Sequence, residues 1–353
     1  MGVVTLFMSL ILFRAYPHEI VCTIHRFCIQ KPKPVSGTTS NVLLIILDKY
    51  LIFVRIKIEL SFLLRYSSRY KESLGRKYHI INELIRMALS EDLGIQGDVT
   101  SQAIFTDEED IFILFAKDSG VLCGSEVFRE VFRQVDPLVS VDFFYSDGDA
   151  IVHGDQVAKL AGKVLSILTA ERTAINFLSF LSGIASKAKK YVDQASSRGV
   201  LILDTRKTLP GYRKLSKYAV SCGGAANHRQ GLYDMVLIKD NHIDAAGSIT
   251  EAVRRIRALW SNTYKIEVET RTLDEVEEAI SCNVDRVMLD NMDNDLMGKA
   301  VSMVHGAAET EASGNMTLQR IDGVDKTGVD FISVGDITHS VQAFDFSLKQ
   351  QSR

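Results

Sequence analysis

The chain has 353 residues, 46% hydrophobic and 24% charged, which is enough for a large core in one or two domains. Its formal net charge of −3 excludes the broad basic excess of a general nucleic-acid binder. Five cysteines (Cys22, Cys28, Cys123, Cys222, Cys282) form no CxxC and no His-paired zinc spacing, so a reducing, cytoplasmic setting without structural metal is expected.

Residues 1–73 read as an extension without chemistry, of the kind an over-long start assignment produces. The apolar run Val3–Phe13 is too short to span a bilayer, and no basic residue precedes it as in a signal peptide. Val42–Leu64 is long enough, but Asp48, Lys49, Arg55, Lys57 and Glu59 make a spanning helix costly. A membrane anchor or an organellar presequence is therefore the less favoured reading.

From Lys77 the texture becomes compact α/β. "HIINELIRMALSEDL" has helical apolar spacing and stops at Gly94. "DEEDIFILFAKDSGVLCG" reads as a strand and turn, the stretch that opens "DGDAIVHGDQVAKLAGK" as turns and short strands, and a long helix is expected from about Thr169. Beyond it, strand candidates "VLILDT", "MVLIKD", "KIEVET", "DRVMLDN", "AETEASG" and "FISVGD" alternate with helical runs. That alternation implies parallel strands with crossover helices. No GxGxxG follows any strand, so a barrel is favoured over a doubly wound sheet.

Polar residues close most of these strands, where a barrel keeps its reactive groups. Arg206 and Lys207 follow the first, Lys239 ends the second, and His228-Arg229 come just after the small-residue loop "CGGAAN". Together they suggest an anion site, with scattered ion pairs as the alternative. Arg213, Lys214 and Lys217 are expected on the solvated face of a helix. Glu267 and Glu269 share one face of a strand, and Asp290 closes the next. These acids suit Mg²⁺ held through waters and substrate phosphates, or ribose contacts, or neutralisation of nearby cations. "EASGNM" and "SVGDITHS" are glycine-bearing loops late in the barrel, the usual place for a phosphate.

The motifs "EDLGIQGDVTS", "AERTAINFLSFLSGIA", "DTRKTLPGYRKL", "CGGAANHRQGLYDMVLIKDNH", "EVET", "MLDN", "EASGN" and "TGVDFISVGDITHSVQAFDFSL" resemble the quinolinate phosphoribosyltransferase family, in family order. The resemblance implies an α/β fold: an N-terminal α/β sandwich over 74–182, then an incomplete, seven-stranded type α/β barrel of the type II phosphoribosyltransferases over 183–336. Residues 337–353 would return to the sandwich. It implies conversion of quinolinate and phosphoribosyl pyrophosphate to nicotinate mononucleotide, pyrophosphate and CO₂, with Mg²⁺, on the route to NAD. Thr205, Arg206, Lys207, His228, Arg229 and Lys239 would bind quinolinate. Glu269 and Asp290 would hold ribose and Mg²⁺, and Lys239, Glu269 and Asp290 would be the catalytic set. Ser313, Gly314, Asn315, Val334, Gly335 and Asp336 would cradle the 5′-phosphate, with His339 close by. Arg172 would reach a neighbouring subunit's site, in a homodimer or a hexamer of dimers.

Some positions depart from the family pattern. Ala225 stands where glycine is frequent, and Asp336 puts an acid beside the proposed phosphate, which favours a backbone contact there. Two rival readings remain. One is a Schiff-base barrel aldolase or lyase with Lys207 or Lys239 as nucleophile. The other is a non-catalytic barrel that binds phosphorylated ligands. A type I phosphoribosyltransferase is disfavoured, because no strand ends in paired acids followed by a Thr-Gly loop.

Overall fold

In the computed structural model, which describes residues 80–195 and 199–351, the first element is helix α1 over 80–93. Ile85 and Leu89 point inward from it one turn apart, and Gly94 (φ +54°) takes the left-handed conformation that ends the helix. The extension expected over 1–73 and its two apolar runs lie outside the described residues. Helix α2 (Val99–Ile104) is capped by Asp98, whose carboxylate accepts from the Thr100 and Ser101 N–H groups.

Strands β1 (Glu109–Ala116), β3 (Ser140–Phe143) and β5 (Gln156–Lys163) form an antiparallel sheet, with the small pair β2 (Gly120–Val121) and β4 (Ala150–Ile151) beside it. The outer neighbour of β1 is the last strand of the chain, β12 (Phe346–Gln350), running from Phe112↔Gln350 to Ala116↔Phe346. The full order is β12-β1-β5-β3.

Two helices here differ from the sequence expectation. Helix α3 (Ser125–Val135) was not anticipated, although Val127, Phe128, Val131 and Phe132 give it a buried face at i, i+1, i+4, i+5 spacing. Asp147 anchors its start, accepting from the Gly124 and Ser125 N–H groups at 3.0 Å each. Helix α4 (Val164–Gln194) begins at the end of β5 with no loop between, earlier than Thr169. The apolar "KVLSIL" suits either state locally, and packing on α3 decides for helix. By length and composition α4 could cross a membrane, but its apolar residues are those of the core, against α3, β2, β5 and the barrel. The domain boundary expected at 182–183 falls inside this continuous helix, so the two regions share a rigid element instead of a linker.

The second sheet is parallel: β6 (Leu201–Leu203), β7 (Val236–Ile238), β8 (Ile266–Thr270), β9 (Arg286–Asp290), β10 (Glu309–Ser313) and β11 (Phe331–Ser333), in the order β6-β11-β10-β9-β8-β7. Ala226 pairs with Leu203 as a single bridged residue, occupying a seventh position beside β6. Ladder pairing among the described strands stops between that position and β7, which leaves an open seam in the barrel.

Helices α5 (Arg213–Cys222), α6 (Asp240–Ala246), α7 (Ile249–Trp260), α8 (Leu273–Ser281), α9 (Asn294–Val304), α10 (Leu318–Asp325) and the single turn α11 (Asp336–His339) connect the strands. Three start at side-chain caps: Ser248, Thr272 and Asp293 accept from the N–H groups of Glu251, Glu275 and Leu296. Such caps let each chain turn sharply after a strand, which places the strand-end residues around one mouth.

Candidate active site

The C-terminal ends of β6 to β11 surround a cavity of about 900 Å³. It is lined by Thr205, Arg206, Lys207, His228, Arg229, Lys239, Glu269, Asp290, Ser313, Gly314, Asn315, Gly335, Asp336 and His339, together with Tyr191, Asn291 and Glu311 among others. All the expected site residues except Arg172 and Val334 therefore meet in one place. Val334 is fully buried and its N–H donates to the Leu203 carbonyl (2.9 Å), so it supports the loop as a core residue and does not line the cavity. Arg172 is exposed on α4 and lies outside this cavity.

Cations dominate the β6 and β7 side. Among the described residues, Arg206, Lys207 and Arg229 have no carboxylate within salt-bridge distance, and the Nε atoms of Arg206 and Arg229 are buried without a hydrogen-bond partner. Burial, and then the charge of Arg206, push the Arg229 guanidinium below its usual range. Lys207 is exposed and the two arginines are half-buried, with Arg229 donating to the Met235 carbonyl (3.2 Å), and three cations side by side without an ion-paired acid fit a receptor for an anion. Lys239 differs, because its ammonium is ion-paired with Glu269.

Lys217 corrects the sequence expectation of a solvated face. Its side chain is 1% exposed and forms an ion pair with Asp204, itself fully buried at the end of β6. The Lys217 ammonium also donates to the His228 carbonyl (2.9 Å), and Asp204 accepts from the His228 N–H (2.8 Å). The pair thus clamps the backbone of His228 on both sides. Chain spacing gave no sign of it, since Lys217 had to turn inward across α5 to find Asp204.

Below the cations lies a buried floor. His228 Nε2 is 3.1 Å from Glu267 and 3.5 Å from Glu311, and Arg286 donates to Glu311 at 3.0 Å. Both glutamates are fully buried. Burial pushes Glu267 up to about 7, with the nearby Glu311 charge adding to the rise. Burial opposes a charge on His228, but the two carboxylates within 3.5 Å of its ring outweigh it and push the ring up to about 9. The Arg229 N–H points at Nδ1 (2.7 Å), a contact that opposes full charging of the ring and turns Nε2, with its proton, toward the acids. His228, Glu267 and Glu311 lie close enough together to hold a metal, but the Arg286 guanidinium already supplies the cation there. Glu311 and Arg286 were missed from sequence. The period-2 spacing of Glu309, Glu311 and Ser313 on one strand was the available signal.

The β8 to β11 side offers acids and backbone. Asp290 accepts from the Asn291 amide at 2.6 Å. Gly314 (φ +91°) cannot carry a side chain, because a Cβ there would lie 2.2 Å from the Asn291 amide oxygen. Arg320 ties the loops together, donating to the Gly314 carbonyl (2.9 Å) and to the Met292 carbonyl (3.2 Å). Asp336 faces away from the loop toward α4, paired with Lys187 (2.7 Å) and accepting from the Tyr191 hydroxyl (2.8 Å). Burial alone would raise Asp336, but these two partners hold it below the usual carboxylate range. Its negative charge is compensated, and the Gly335 backbone is left facing the cavity. A Cβ on Gly335 would meet His339 at 3.1 Å and the Lys207 stem at 3.2 Å, so Lys207 also reaches over the Gly335 loop.

Residues 98–182 match the family described as quinolinate phosphoribosyl transferase, N-terminal domain, and residues 184–349 its C-terminal domain. The chain belongs to the quinolinate phosphoribosyltransferase family. It is 42% identical to the quinolinate phosphoribosyltransferase [decarboxylating] 2b, mitochondrial, of Nicotiana tabacum, over 76% of this chain and 82% of that one. It is 41% identical to the nicotinate-nucleotide pyrophosphorylase [carboxylating], chloroplastic, of Arabidopsis thaliana, with the same two coverages of 76% and 82%. Among solved structures, the nicotinate-nucleotide pyrophosphorylase from Francisella tularensis superposes with a TM-score of 0.75 at 43% identity, covering 77% of this chain and 96% of that one.

Proposed function

We propose that this chain transfers the phosphoribosyl group of phosphoribosyl pyrophosphate to the ring nitrogen of quinolinate, giving nicotinate mononucleotide, pyrophosphate and CO₂ for NAD synthesis. The observation that carries this reading is the set of acid-free cations Arg206, Lys207 and Arg229, in a cavity whose opposite wall is a glycine-bearing backbone cradle. A pyridine dicarboxylate supplies the negative charge those cations lack, and each charge-assisted contact is worth roughly 1.5–3 kcal/mol. The cradle formed by Ser313, Gly314, Asn315 and Gly335 takes the 5′-phosphate, with His339 at its rim.

Loss of pyrophosphate leaves positive charge on the ribose carbon, which Glu269 and Asp290 stabilise electrostatically. The cations hold quinolinate with its nitrogen toward that carbon, removing much of the entropic barrier. Once the nitrogen is alkylated, CO₂ departs from the 2-carboxylate, the cationic ring stabilises the electron pair left on carbon 2, and that carbon takes a proton from solvent. Asp290 and Glu269 present hard oxygen donors that suit Mg²⁺ held mainly through water and pyrophosphate. That ion would supply charge neutralisation for the leaving group. A Schiff base at Lys239 fits less well, because its ammonium is committed to Glu269.

The active unit is proposed to be a homodimer, in which Arg172, exposed on α4, completes the partner's cavity. The compartment is proposed to be the cytoplasm, and recovery of the chain in isolated organelles would overturn that. The functional test is pyrophosphate release with quinolinate against nicotinate. Strong preference for the dianion is expected, and equal kcat/KM for the two acids would overturn the reading.

A further inference from the structure

Two cysteines that lie far apart in the sequence meet outside the cavity. Cys123 sits between β2 and α3 and is fully buried; Cys222 is the last residue of α5 and half-buried. Their sulfur atoms and a carboxylate oxygen of Asp147 lie within 4.8 Å of one another. Cys123 is held rigidly. Its N–H donates to Ser182 Oγ on α4 (2.9 Å), and the same hydroxyl donates back to its carbonyl (3.2 Å).

A soft metal is one occupant such a group could take, but Asp147 is already engaged. Its two oxygens accept from the Gly124 and Ser125 N–H groups at 3.0 Å each and from the Tyr218 hydroxyl at 2.7 Å, fixing the start of α3. That leaves the two sulfurs, and they are not equivalent. The hydrogen bond from the Cys123 thiol lowers Cys222 below the ordinary thiol range; burial opposes this, and the neighbouring Tyr218 hydroxyl adds to it. Cys123 is pushed up by that same hydrogen bond and by its burial. The Asp147 charge also opposes the lowering of Cys222, but a more accessible sulfur in front of a fully buried one is the arrangement of an attacking and a resolving cysteine.

We propose that Cys123 and Cys222 form an oxidation site for a peroxide, and that the resulting disulfide displaces the adjoining His228-Arg229 loop and weakens quinolinate binding. The Cys222 thiolate attacks one peroxide oxygen. The O–O bond breaks, Cys222 becomes a sulfenic acid, and the released hydroxide takes a proton to leave as water. The Cys123 sulfur then attacks the Cys222 sulfur as its thiol proton departs. The S–O bond breaks and a second water leaves. Two thiols are oxidised by two electrons and one peroxide is reduced to two waters.

The mechanical consequence follows from which side can move. A disulfide needs its sulfurs about 2.05 Å apart. Cys123 is held on both its N–H and its carbonyl by α4, and the end of α5 also packs on α4, where a Cβ on Gly223 would lie 2.3 Å from the Ala185 carbonyl oxygen; closing the bridge therefore strains the end of α5 and the loop that leaves it. The loop of Gly223 and Gly224 follows Cys222 directly and leads to His228 and Arg229. Lys217, on the same helix, holds the His228 carbonyl; Ser221 donates to the Asn227 amide oxygen (2.9 Å), and the Asn227 NH₂ donates to the Lys217 carbonyl (3.0 Å). Movement of the end of α5 is therefore passed to the quinolinate side and not to the phosphate cradle. A displacement on the order of 1 Å there raises the KM for quinolinate roughly ten- to a hundredfold. The effect on quinolinate rests on the function proposed above, whereas the bridge itself does not.

The experiment uses the full chain, reduced, freed of reductant and exposed to hydrogen peroxide. Remaining thiols are alkylated under denaturing conditions and the peptides are mapped by mass spectrometry. Pyrophosphate release is followed as quinolinate and phosphoribosyl pyrophosphate are varied in turn. A Cys123–Cys222 bridge is expected, with a raised KM for quinolinate, little change for phosphoribosyl pyrophosphate, and recovery on adding dithiothreitol. Cys123→Ala and Cys222→Ser should lose the reversible KM change. The proposal is overturned if Cys222 is oxidised further while Cys123 stays free, or if the bridge forms and the quinolinate KM does not move. It is equally overturned if the reduced chain retains zinc that shields both thiols from peroxide. If the untreated chain releases no pyrophosphate from quinolinate, the proposed function fails, and peptide mapping of the wild-type chain still decides whether the bridge exists.

Discussion

Along the β6 and β7 side of the cavity, Arg206, Lys207 and Arg229 carry charge that no carboxylate among the described residues meets. Along β8 to β11 the charged groups have partners: Glu269 holds Lys239, Asp290 holds the Asn291 amide, and Asp336 holds Lys187 and Tyr191. The first wall carries uncompensated charge, so binding an anion there relieves strain already present. The second is nearly self-sufficient, so the sugar phosphate proposed to bind there would be held by backbone groups and by exchange of existing pairs. The same residue type thus has different meanings on the two sides. A lysine with an acid is scaffold until its partner is drawn away, and an arginine without one is a receptor.

The largest effect that would test this contrast lies at Lys217, a cation with structural duty. Lys217→Met leaves Asp204 buried without its partner and should lower unfolding stability by about 3–5 kcal/mol. Adding Asp204→Leu should recover much of that stability while activity stays low, since the His228 backbone is no longer clamped. Urea denaturation of both variants measures the first part and pyrophosphate release the second. A stable single variant would place Lys217 among the receptors.

Arg229→Ala should show the opposite pattern. Quinolinate affinity falls roughly 10- to 150-fold, corresponding to one charge-assisted contact, while the thermal midpoint holds or rises because a poorly solvated charge is gone. Isothermal titration and thermal melts give the two readouts. A large loss of stability would mean that Arg229 has a structural role.

On the second wall, Lys239→Ala should weaken quinolinate and Glu269→Ala should weaken phosphoribosyl pyrophosphate. Because the two side chains are paired, the double variant should lose less than the sum, with a coupling of about 0.5–3 kcal/mol. Calorimetric titration of each ligand with all three variants tests it. Identical loss patterns from both single variants would merge the two walls into one pocket.

The smallest expected effect is a pH slope from the floor. His228 is raised to about 9 in the folded chain, so protons are held more tightly folded than unfolded between the ordinary histidine range and pH 9. Its contribution is present at lower pH and is lost as pH rises through that window. Glu267, raised to about 7, adds a loss of the same sign between the ordinary glutamate range and neutrality. The urea midpoint should therefore drop from pH 6.5 to 9, and Glu311→Gln should flatten the slope by lowering His228. An unchanged slope in that variant would detach His228 from the acids.

Strand-end chemistry was legible because it needs only local rules. An apolar run followed by a polar residue located Arg206, Lys239, Glu269, Asp290 and Ser313 at the mouth of a parallel sheet, and helices alternate with its strands as expected. What local rules missed depends on depth or on distant partners. Lys217 looks like Lys214 in sequence, and only the proximity of β6 to α5 distinguishes them. Glu311 lies one pleat below Ser313, out of reach of a strand-end rule. Helix α3 follows a turn and has a strongly amphipathic pattern, but its start depends on Asp147, two strands' worth of chain later.

The pairing of β1 with β12 has a consequence for synthesis. Strand β1 is among the first described elements to be made and β12 is the last of them, so the free edge of β1 waits for its neighbour until the whole barrel between them has been made. At ~5–20 residues per second that wait is on the order of tens of seconds. During it, an apolar strand with unpaired N–H and C=O groups is open to any other nascent chain. A product truncated only a few residues before Phe346 would keep every cavity residue and still carry that open edge permanently, making it a candidate for aggregation and not merely for lower activity.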